Sequence, residues 1–338
     1  MINYIYQLVR PGYISVKYED VKIENDVVIR PTYMAICQAD QRYYRGLRDI
    51  SKLKSKLPMA LIHESAGEVV CDFTNSFSCG QKVIMIPNVK SKINDKEIYE
   101  NYQKGSSFLS SGKDGFMREF VNLAPDRVVP INNIPEQFAA ISEFISVGVH
   151  GVNRLKKFSH GNKKSFGVWG DGSLAYVVSC IIKQIFPESK LYVIGRDNFK
   201  LSQFLFADGT YFSENIPEDF SVDHAFECAG GEGSYYAIND IIKYINPQGT
   251  AVLMGVSEHK IAINTRDVLE KGITLIGSSR SGREVFEKAA EFLGKSEFQK
   301  RISRIIYEDS PVKTIGDIHR VFETDLKNPF KTVFKWDL

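Results

Sequence analysis

The stretch Phe166-Gly-Val-Trp-Gly-Asp-Gly-Ser-Leu-Ala175 decides the fold class of this 338-residue chain. Its first four residues form a short apolar run, which is typical of a buried strand, and the apolar segment 173–186 is typical of a helix. A further apolar run, Leu191-Tyr-Val-Ile-Gly195, follows. Strand, glycine-rich turn, helix and strand is the order in which a parallel sheet is built.

The glycine spacing in this stretch matches a dinucleotide-binding fingerprint. Gly170 permits a tight turn, Gly172 lets backbone N–H groups approach a pyrophosphate, and Ala175 allows close packing of helix on strand. The N-terminus of the helix then faces the anion. We expect the phosphates of a dinucleotide to contact the residues of this turn, namely Gly170, Asp171, Gly172, Ser173 and Leu174.

The end of the second strand indicates which dinucleotide is preferred. A site for NAD places Asp or Glu there to bind the ribose 2′-hydroxyl. This chain has Gly195, followed by Arg196 and then by Lys200. A guanidinium can pair bidentately with a 2′-phosphate, which a carboxylate would repel. We interpret the pattern as a preference for NADPH; the alternative is that Arg196 only begins a solvated helix.

Apolar runs at 223–227, 250–255 and 273–277 continue the alternation of strands with helices. We predict an α/β chain in which residues 146–285 form a Rossmann domain with a doubly wound parallel sheet. Residues 1–145 hold short strand-like runs bounded by Gly, Pro, Asp and Asn. Together with residues 286–338 they form the expected second, β-rich domain.

Composition excludes several classes of protein. The formal net charge is +2, from 43 basic and 41 acidic residues, so neither nucleic acid nor a membrane is expected as a partner. No apolar run reaches the ~18 residues of a spanning helix, and the N-terminus lacks the pattern of a signal peptide. The five cysteines do not suggest a disulfide framework. A reducing, cytoplasmic location is the default expectation.

Three residues of the N-terminal region offer ligands for a catalytic zinc. Cys37, His63 and Glu64 supply a thiolate, an imidazole and a carboxylate, and such a site needs three ligands and an open position. Adjacent residues of a regular strand face opposite sides. His63 and Glu64 therefore both reach one metal only at a bend, or else one supports the other. Spacing alone leaves a structural role open, and Asp40 is expected to orient a ligand.

The order of these landmarks resembles that of the zinc-dependent medium-chain dehydrogenases/reductases over essentially the whole chain. The landmarks are Cys37-x-x-Asp40, His63-Glu64-x-x-Gly67-x-Val69, Glu143-Phe-Ile-Ser-Val-Gly-Val-His150 and the glycine turn. The resemblance implies a GroES-like catalytic domain and a Rossmann domain. In polyol dehydrogenases of this family the glutamate of the third landmark binds the zinc or its water. Glu143 is therefore a candidate fourth ligand; the alternative is an acid that only starts a helix.

Further segments are similar to the NADPH-dependent ribulose-5-phosphate reductases of this family, namely residues 34–46, Leu57-Pro-Met-Ala-Leu-Ile-His-Glu64, Ser110-Ser-Gly-Lys-Asp-Gly-Phe-Met117 and Gly277-Ser-Ser-Arg-Ser-Gly282. The similarity implies that NADPH and Zn²⁺ serve to reduce D-ribulose 5-phosphate to D-ribitol 5-phosphate. A cytidylyltransferase then activates the product to CDP-ribitol for teichoic acid or capsule synthesis. A homodimer or homotetramer is also suggested. The alternatives are a dehydrogenase for an unphosphorylated polyol or sugar, and a zinc-less NADPH-binding or quinone reductase-like protein.

Two departures from the wider family bear on mechanism. Relatives usually have Ser or Thr two residues after the zinc cysteine as a proton relay, and this chain has Ala39. Residues 88–114 lack the cysteines that hold a structural zinc in many relatives, so other contacts must order this loop, or it is less ordered. We expect the proton to come from zinc-bound water or Glu64. The alternatives are Tyr43, Tyr44 and His150.

A phosphorylated substrate needs cations near the reacting carbonyl. Arg42 lies five residues after the zinc cysteine, and Arg280 lies in a Ser- and Gly-rich loop after the last Rossmann strand. Such loops offer backbone N–H groups as well as guanidinium groups. We expect Arg42 and Arg280 to bind the phosphate; the alternative is that either is a surface arginine or part of a structural ion pair.

Overall fold

The computed structural model describes residues 2–21, 26–93 and 95–338, which form two compact units. The first unit contains the described residues of 1–146, 280–299 and 306–338, and the second contains 147–279 and 300–305. We expected the chain to return to the first unit at residue 286, and it returns at residue 280. The segment 300–305 stays with the second unit, because the hydroxyl of Tyr176 donates to the carbonyl oxygen of Arg301 at 3.0 Å.

Short strands dominate the beginning of the chain, and strands alternate with helices in its middle. The strands are β1 (Ile2–Arg10), β2 (Tyr13–Asp20), β3 (Val27–Ala35), β4 (Met59–Ala60), β5 (Glu64–Asp72), β6 (Lys82–Met85), β7 (Asn88–Val89), β8 (Ser107–Phe108), β9 (Val121–Leu123), β10 (Val128–Pro130), β11 (Ser165–Trp169), β12 (Lys190–Gly195), β13 (Gly209–Phe212), β14 (Val222–Glu227), β15 (Ile245–Leu253), β16 (Thr274–Gly277), β17 (Ile306–Val312) and β18 (Lys331–Trp336). The α-helices are α1 (Gln38–Tyr44), α2 (Ile50–Lys56), α3 (Glu136–Ala139), α4 (Ser142–Phe158), α5 (Ser173–Ile185), α6 (Asn198–Leu201), α7 (Gly233–Tyr244), α8 (Thr265–Lys271), α9 (Arg283–Leu293), α10 (Ser296–Ile302) and α11 (Ile315–Lys327).

The sheets of the first unit surround an apolar core. The larger sheet follows the path β10-β6-β5-β3-β18-β17, with β9 also paired to β3, and a smaller sheet has the order β2-β1-β4. Side chains such as Ile29, Phe116 and Phe334 are buried in the core, where each Å² of apolar area removed from water contributes about 25 cal/mol. Because β18 pairs antiparallel with β3, the end of the chain lies beside the strand that leads to α1.

The loop 88–114 is ordered by charged contacts. The carboxylate of Glu100 accepts hydrogen bonds from the buried guanidinium of Arg127 at 2.7 and 3.2 Å, and from the backbone N–H of Arg283 at 3.0 Å. Arg283 begins α9, so the carboxylate also pairs with an N–H that the helix itself leaves unsatisfied. Two short strands of the loop, β7 and β8, pair with each other. Asn94 lies outside the described residues.

The second unit contains the predicted Rossmann sheet. Its six strands are parallel, in the order β13-β12-β11-β14-β15-β16. The strand order reverses between β11 and β14, which is where ligands bind in such sheets. The helix α5 begins at Ser173, directly after the glycine turn. The doubly wound parallel sheet is therefore confirmed. None of the helices formed by the described residues is long and apolar enough to cross a membrane.

Candidate active site

His63 and Glu64 lie at a bend in the backbone. Ile62 adopts a left-handed conformation with a φ of 68°, and β5 begins two residues later at Glu64. Both side chains approach Glu143 in the first turn of α4, and one ligand atom from each of the three residues lies within 4.8 Å of the others. All three residues are buried. The bend that two adjacent ligands require is thus present.

Cys37 and Asp40 form a second group around His63, again with ligand atoms within 4.8 Å of one another. Cys37 is the N-cap of α1. One oxygen of Asp40 accepts from the N–H of Ile62 at 3.0 Å and from the hydroxyl of Ser110 at 2.7 Å, and the other lies 3.3 Å from Nδ1 of His63. Because its oxygens make these contacts, Asp40 can orient the ring of His63 and leave Nε2 for a metal, as expected from the sequence.

Lys331 is a residue of this site that the sequence did not reveal. It is buried on β18, where its ammonium donates to Oε1 of Glu64 at 2.6 Å and to the carbonyl oxygen of Ile36 at 2.8 Å. It also lies 4.5 Å from the ring centroid of Phe144. Since 267 residues separate Lys331 from Glu64, only the pairing of β18 with β3 brings them together. The local signal is a lysine at the start of a strand in which half of the residues are apolar.

Cys37, Asp40, His63, Glu64 and Glu143, with the partner Lys331, are called the donor cluster. The charges of this cluster suit a divalent cation. Oε2 of Glu64 is buried and accepts no hydrogen bond from the described residues. Burial raises the pKa of Glu143 to about 7 and raises the pKa of Glu64 against the pull of Lys331. Burial opposes a charged His63, but the acidic groups beside it outweigh burial and raise its pKa well above the usual range. A cation would compensate the buried carboxylates, and thiolate, imidazole and carboxylate are zinc ligands. The residues present therefore fit zinc.

Arg280 is held beside this cluster by an unusual backbone conformation. Its φ is 56°, and a non-glycine residue in this region is uncommon and is often functional. Its guanidinium lies 4.9 Å from the ring centroid of Phe108, which in turn meets the imidazole of His63 edge-on at 5.3 Å. The hydroxyl of the next residue, Ser281, lies 2.6 Å from that of Ser146 on α4. The described residues offer the Arg280 guanidinium no ion pair.

The other predicted residues are less closely tied to the cluster. Arg42 is half-buried in the last turn of α1. Tyr43 is buried, and the hydroxyl of Tyr44 is hydrogen-bonded to Nδ1 of His319 at 2.6 Å, so Tyr44 is engaged by α11. His150 belongs to the second unit, where burial lowers its pKa to about 4. The contact with His319 directs the Tyr44 hydroxyl towards α11.

A cavity of about 700 Å³ lies at the carboxyl ends of β11, β12 and β14 in the second unit. The predicted residues that line it are Gly170, Asp171, Gly172, Gly195, Arg196 and Lys200. Ser173 and Leu174 form the first turn of α5. Gly170 has a φ of 132°, and a Cβ there would lie 2.8 Å from the carbonyl carbon of Cys228, so only glycine fits. The cavity and the N-terminus of α5 together offer a site for a pyrophosphate.

The end of β12 is organised by Asp171. Its carboxylate accepts from the backbone N–H groups of Arg196 at 2.6 Å and Asp197 at 2.8 Å. A Cβ at Gly195 would lie only 2.6 Å from the Cβ of Asp171. An acidic side chain at position 195 is therefore excluded by packing. The side chains of Arg196 and Lys200 supply positive charge to the same cavity.

Further residues line the cavity that the sequence pattern did not indicate, namely Trp169, Ile194, Ser213, Glu214, Cys228, Ala229, Gly233, Tyr236, Ala237 and Asp240. Most follow β13 or β14 or lie on α7, so the sheet topology brings them together. Glu227 supports this wall, because its carboxylate accepts hydrogen bonds from the N–H groups of Ala229, Gly230 and Gly255 at 2.8–3.1 Å.

Two parts of the chain match known protein families. Residues 23–133 match the alcohol dehydrogenase GroES-like domain, and residues 207–295 match the zinc-binding dehydrogenases. The chain is 55% identical to the ribulose-5-phosphate reductase of Streptococcus pneumoniae over 340 residues, which cover 100% of this chain and 98% of that protein. It is 47% identical to ribulose-5-phosphate reductase 1 of Staphylococcus aureus, with 99% of each chain covered.

Solved structures agree with these matches. The crystal structure of S. aureus TarJ in complex with NADPH is 42% identical, covers 100% of both chains and has a TM-score of 0.89. L-idonate 5-dehydrogenase from Escherichia coli, at 18% identity and a TM-score of 0.84, shares the fold. The resemblance noted in the sequence is confirmed: the chain is an oxidoreductase that belongs to the zinc-binding alcohol dehydrogenase family with a GroES-like domain and, within it, to the ribulose-5-phosphate reductases.

Proposed function

We propose that this protein reduces D-ribulose 5-phosphate to D-ribitol 5-phosphate with NADPH and zinc. The observation that carries the proposal is the buried cluster of zinc ligands beside Arg280, a cation with no ion pair among the described residues. A Lewis acid beside a cation suits a substrate that has both a carbonyl and a phosphate. The similarity to ribulose-5-phosphate reductases supports the same substrate.

Zinc would be held by Cys37, His63 and Glu143, and Glu64 is close enough to be a further ligand. Zinc bound there supplies a Lewis acid that polarises a carbonyl and favours negative charge on its oxygen. Asp40 keeps the ring of His63 in place through Nδ1. The site thus combines ligands from β5, α1 and α4 with an orienting carboxylate.

Reduction of a carbonyl also requires a proton. Ala39 has no group that can relay one, and the hydroxyl of Tyr44 is already engaged by His319. Glu64 is better placed, because Lys331 fixes its Oε1 while its Oε2 accepts no hydrogen bond from the described residues. We assign the proton to Oε2 of Glu64, in the state in which Cys37, His63 and Glu143 hold the metal and Glu64 does not bind it.

NADPH would supply the hydride, and the second unit would bind it through both backbone and side chains. Gly170 and Gly172 let backbone N–H groups approach the pyrophosphate, with Ser173 and Leu174 at the helix N-terminus. Arg196 and Lys200 would pair with the 2′-phosphate. The NADPH bound to S. aureus TarJ supports this assignment.

The 5-phosphate would be bound by Arg280, with Arg42 as a second cation. The contact of Arg280 with Phe108, and of Phe108 with His63, supports the first assignment. Arg42 is supported by its place on α1, the helix whose N-cap is Cys37. Such a clamp would select a phosphorylated ketose over a free sugar.

The product places the enzyme in a reaction sequence. D-Ribitol 5-phosphate would be consumed by a cytidylyltransferase that forms CDP-ribitol, the activated unit for teichoic acid or capsule synthesis. The similarity to ribulose-5-phosphate reductases supports this assignment. We further propose a cytoplasmic homodimer or homotetramer that acts on small molecules. The near-balance of charges, +2 overall, supports the absence of nucleic acid and membrane partners.

The test is the initial rate of NADPH oxidation with D-ribulose 5-phosphate, measured beside D-ribulose and beside NADH. Fast turnover only with the phosphorylated ketose and NADPH is expected. Equal turnover of D-ribulose would contradict the phosphate clamp and favour an unphosphorylated polyol or sugar substrate. Equal turnover with NADH would contradict the role of Arg196. Activity in protein that contains no zinc would favour a zinc-less reductase.

A further inference from the structure

Asn88 is a buried polar residue that none of the contacts above explains. It lies on β7 and is fully buried, and neither its Oδ1 nor its Nδ2 has a hydrogen-bond partner within the described ranges. Its backbone carbonyl accepts from the guanidinium of Arg127 at 3.3 Å, but this contact does not involve the side chain. Buried amides are nearly always paired, because an unpaired one costs free energy that an apolar side chain of the same size would not. The amide group therefore lacks the hydrogen-bond partner that a buried amide usually has, and a bound ligand could supply it.

The strand pairing shows where this amide group points. Asn88 is directly opposite Phe108 in the antiparallel pair of β7 and β8. Residues that are directly opposite project from the same face, with Cβ atoms about 5 Å apart. The ring of Phe108 contacts both the imidazole of His63 and the guanidinium of Arg280. The side chain of Asn88 thus lies on the face that carries the metal ligand and the phosphate cation.

Asn88 is as buried as one member of the donor cluster. Glu64 is fully buried like Asn88, and His63 and Glu143 are each 6% exposed, so a substrate that reaches the donor cluster enters a region of similar burial. Such a substrate loses its contacts with water and needs replacements from the protein. Asn88 is placed to supply them.

The chemistry of the amide group indicates which part of the substrate it binds. The amide offers an acceptor oxygen and two N–H donors. A sugar hydroxyl both donates and accepts, so it can satisfy either end of the amide. A phosphate offers mainly acceptors and would be repelled by Oδ1. The amide group therefore suits a hydroxyl of the carbon chain, whereas Arg280 suits the phosphate.

We propose that Asn88 binds a hydroxyl next to the carbonyl of the ketose and thereby selects a hydroxylated substrate. This inference rests on the proposed function. A site built to hydrogen-bond a hydroxyl rejects an analogue that lacks it, because its own polar group is then left unpaired. Asn88 thus determines specificity at the carbon chain, independently of the phosphate.

The experiment compares wild type with Asn88→Leu on D-ribulose 5-phosphate and on its 1-deoxy and 3-deoxy analogues. We expect Asn88→Leu to lower kcat/KM for D-ribulose 5-phosphate about tenfold to a hundredfold, the usual range for an unpaired group at a substrate hydroxyl. Wild type should discriminate against one of the deoxy analogues by a similar factor, and Asn88→Leu should not. The residue and the hydroxyl then form a double-mutant cycle.

The control is Asn3→Leu, because Asn3 is also buried in the first unit but pairs both ends of its amide with the backbone of Phe120 at 2.9 Å. Asn3→Leu should lower the melting temperature and leave the discrimination intact, whereas Asn88→Leu should keep or raise the melting temperature. Asn88→Ala provides a second variant if Asn88→Leu does not fold. If wild type and both Asn88 variants discriminate equally, this inference is overturned. If wild type does not reduce D-ribulose 5-phosphate at all, the proposed function is overturned and this inference with it.

Discussion

The nucleotide site and the donor cluster are built in opposite ways. All of the predicted nucleotide-site residues lie from Gly170 to Lys200, in and directly after one strand-turn-helix-strand segment. The donor cluster draws on α1, β5, α4 and β18, and Lys331 is 267 residues from its partner Glu64. The first site depends on backbone geometry that glycine permits, and the second depends on side chains that only the finished fold brings together. A site built from one continuous segment can be recognised as a motif in the sequence. A site built from distant segments appears in the sequence only as isolated residues.

The two sites also differ in their electrostatics. The nucleotide cavity presents the exposed Arg196 and the half-buried Lys200 to an anion, with water able to screen them. The donor cluster holds Glu64 and Glu143 away from water, and burial raises the pKa of both carboxyl groups. The first site attracts a charged ligand from solution, and the second needs a cation to compensate charges that the fold has already buried.

Removing a zinc ligand should have the largest effect: it should impair the donor cluster and leave the nucleotide site unaffected. We expect Cys37→Ser to lower kcat about a thousandfold, because a catalytic metal contributes several kcal/mol to the stabilisation of the transition state. Zinc content should fall, and the Kd for NADPH should not change, since the cofactor residues lie in the other unit. Turnover, metal analysis and NADPH fluorescence titration measure the three quantities.

Cys71→Ser is the matched control, because Cys71 is half-buried in the same unit but belongs to neither ligand group. It should retain zinc and turnover. If Cys37→Ser retained full activity, the assignment of the metal site would be wrong. If it lost NADPH binding as well, the separation of the two sites would be wrong.

Acid should lower the free energy of unfolding of the second unit through His224. Burial lowers the pKa of His224 to about 4, and its Nδ1 accepts from the N–H of Thr250 at 3.1 Å, so the folded second unit holds it neutral. The unfolded chain takes up this proton near pH 6.5. The stabilising contribution is therefore complete above pH 6.5 and is lost as the pH falls towards 4, by about 3 kcal/mol. Urea unfolding at pH 7 and at pH 4.5 measures the loss.

His224→Gln retains a donor and an acceptor without titrating in this range. Its unfolding free energy should change less between the two pH values than that of wild type. An unchanged pH dependence in His224→Gln would show that His224 is not the group responsible.

The fold was predictable to the extent that its signals are local. The glycine turn predicted the parallel sheet, and the adjacent ligands His63 and Glu64 required a bend, which Ile62 provides through its left-handed backbone. Two other contacts could not be predicted from any short stretch of sequence: the hydrogen bond of Lys331 to Glu64, and the pairing of Asn88 with Phe108 on neighbouring strands. Those contacts depend on strand pairings whose partners lie 20 to hundreds of residues apart, and a single sequence does not specify the pairing.

A change at the nucleotide site should affect one cofactor only. We expect Arg196→Ser to raise KM for NADPH about a hundredfold, because charge-assisted hydrogen bonds to a phosphate are lost. KM for NADH should hardly change, since NADH carries no 2′-phosphate. Initial rates with both cofactors measure the effect, and Arg266→Ser, at an exposed arginine on α8 paired with Glu270, is the control. Equal effects on NADPH and NADH would contradict a contact with the 2′-phosphate.

The smallest expected effect concerns Arg280, the cation beside the donor cluster. Arg280→Met keeps an unbranched side chain over Phe108 but removes the charge, and we expect it to raise KM for D-ribulose 5-phosphate about tenfold. Slow turnover of D-ribulose should not change, because the free sugar has no phosphate to lose. Arg42→Met, measured in the same way, shows which arginine contributes more; the contacts of Arg280 with the ring beside His63 favour Arg280. An equal loss with both substrates would mean that Arg280 supports the structure of its loop, whose next residue, Ser281, is tied to α4 through Ser146.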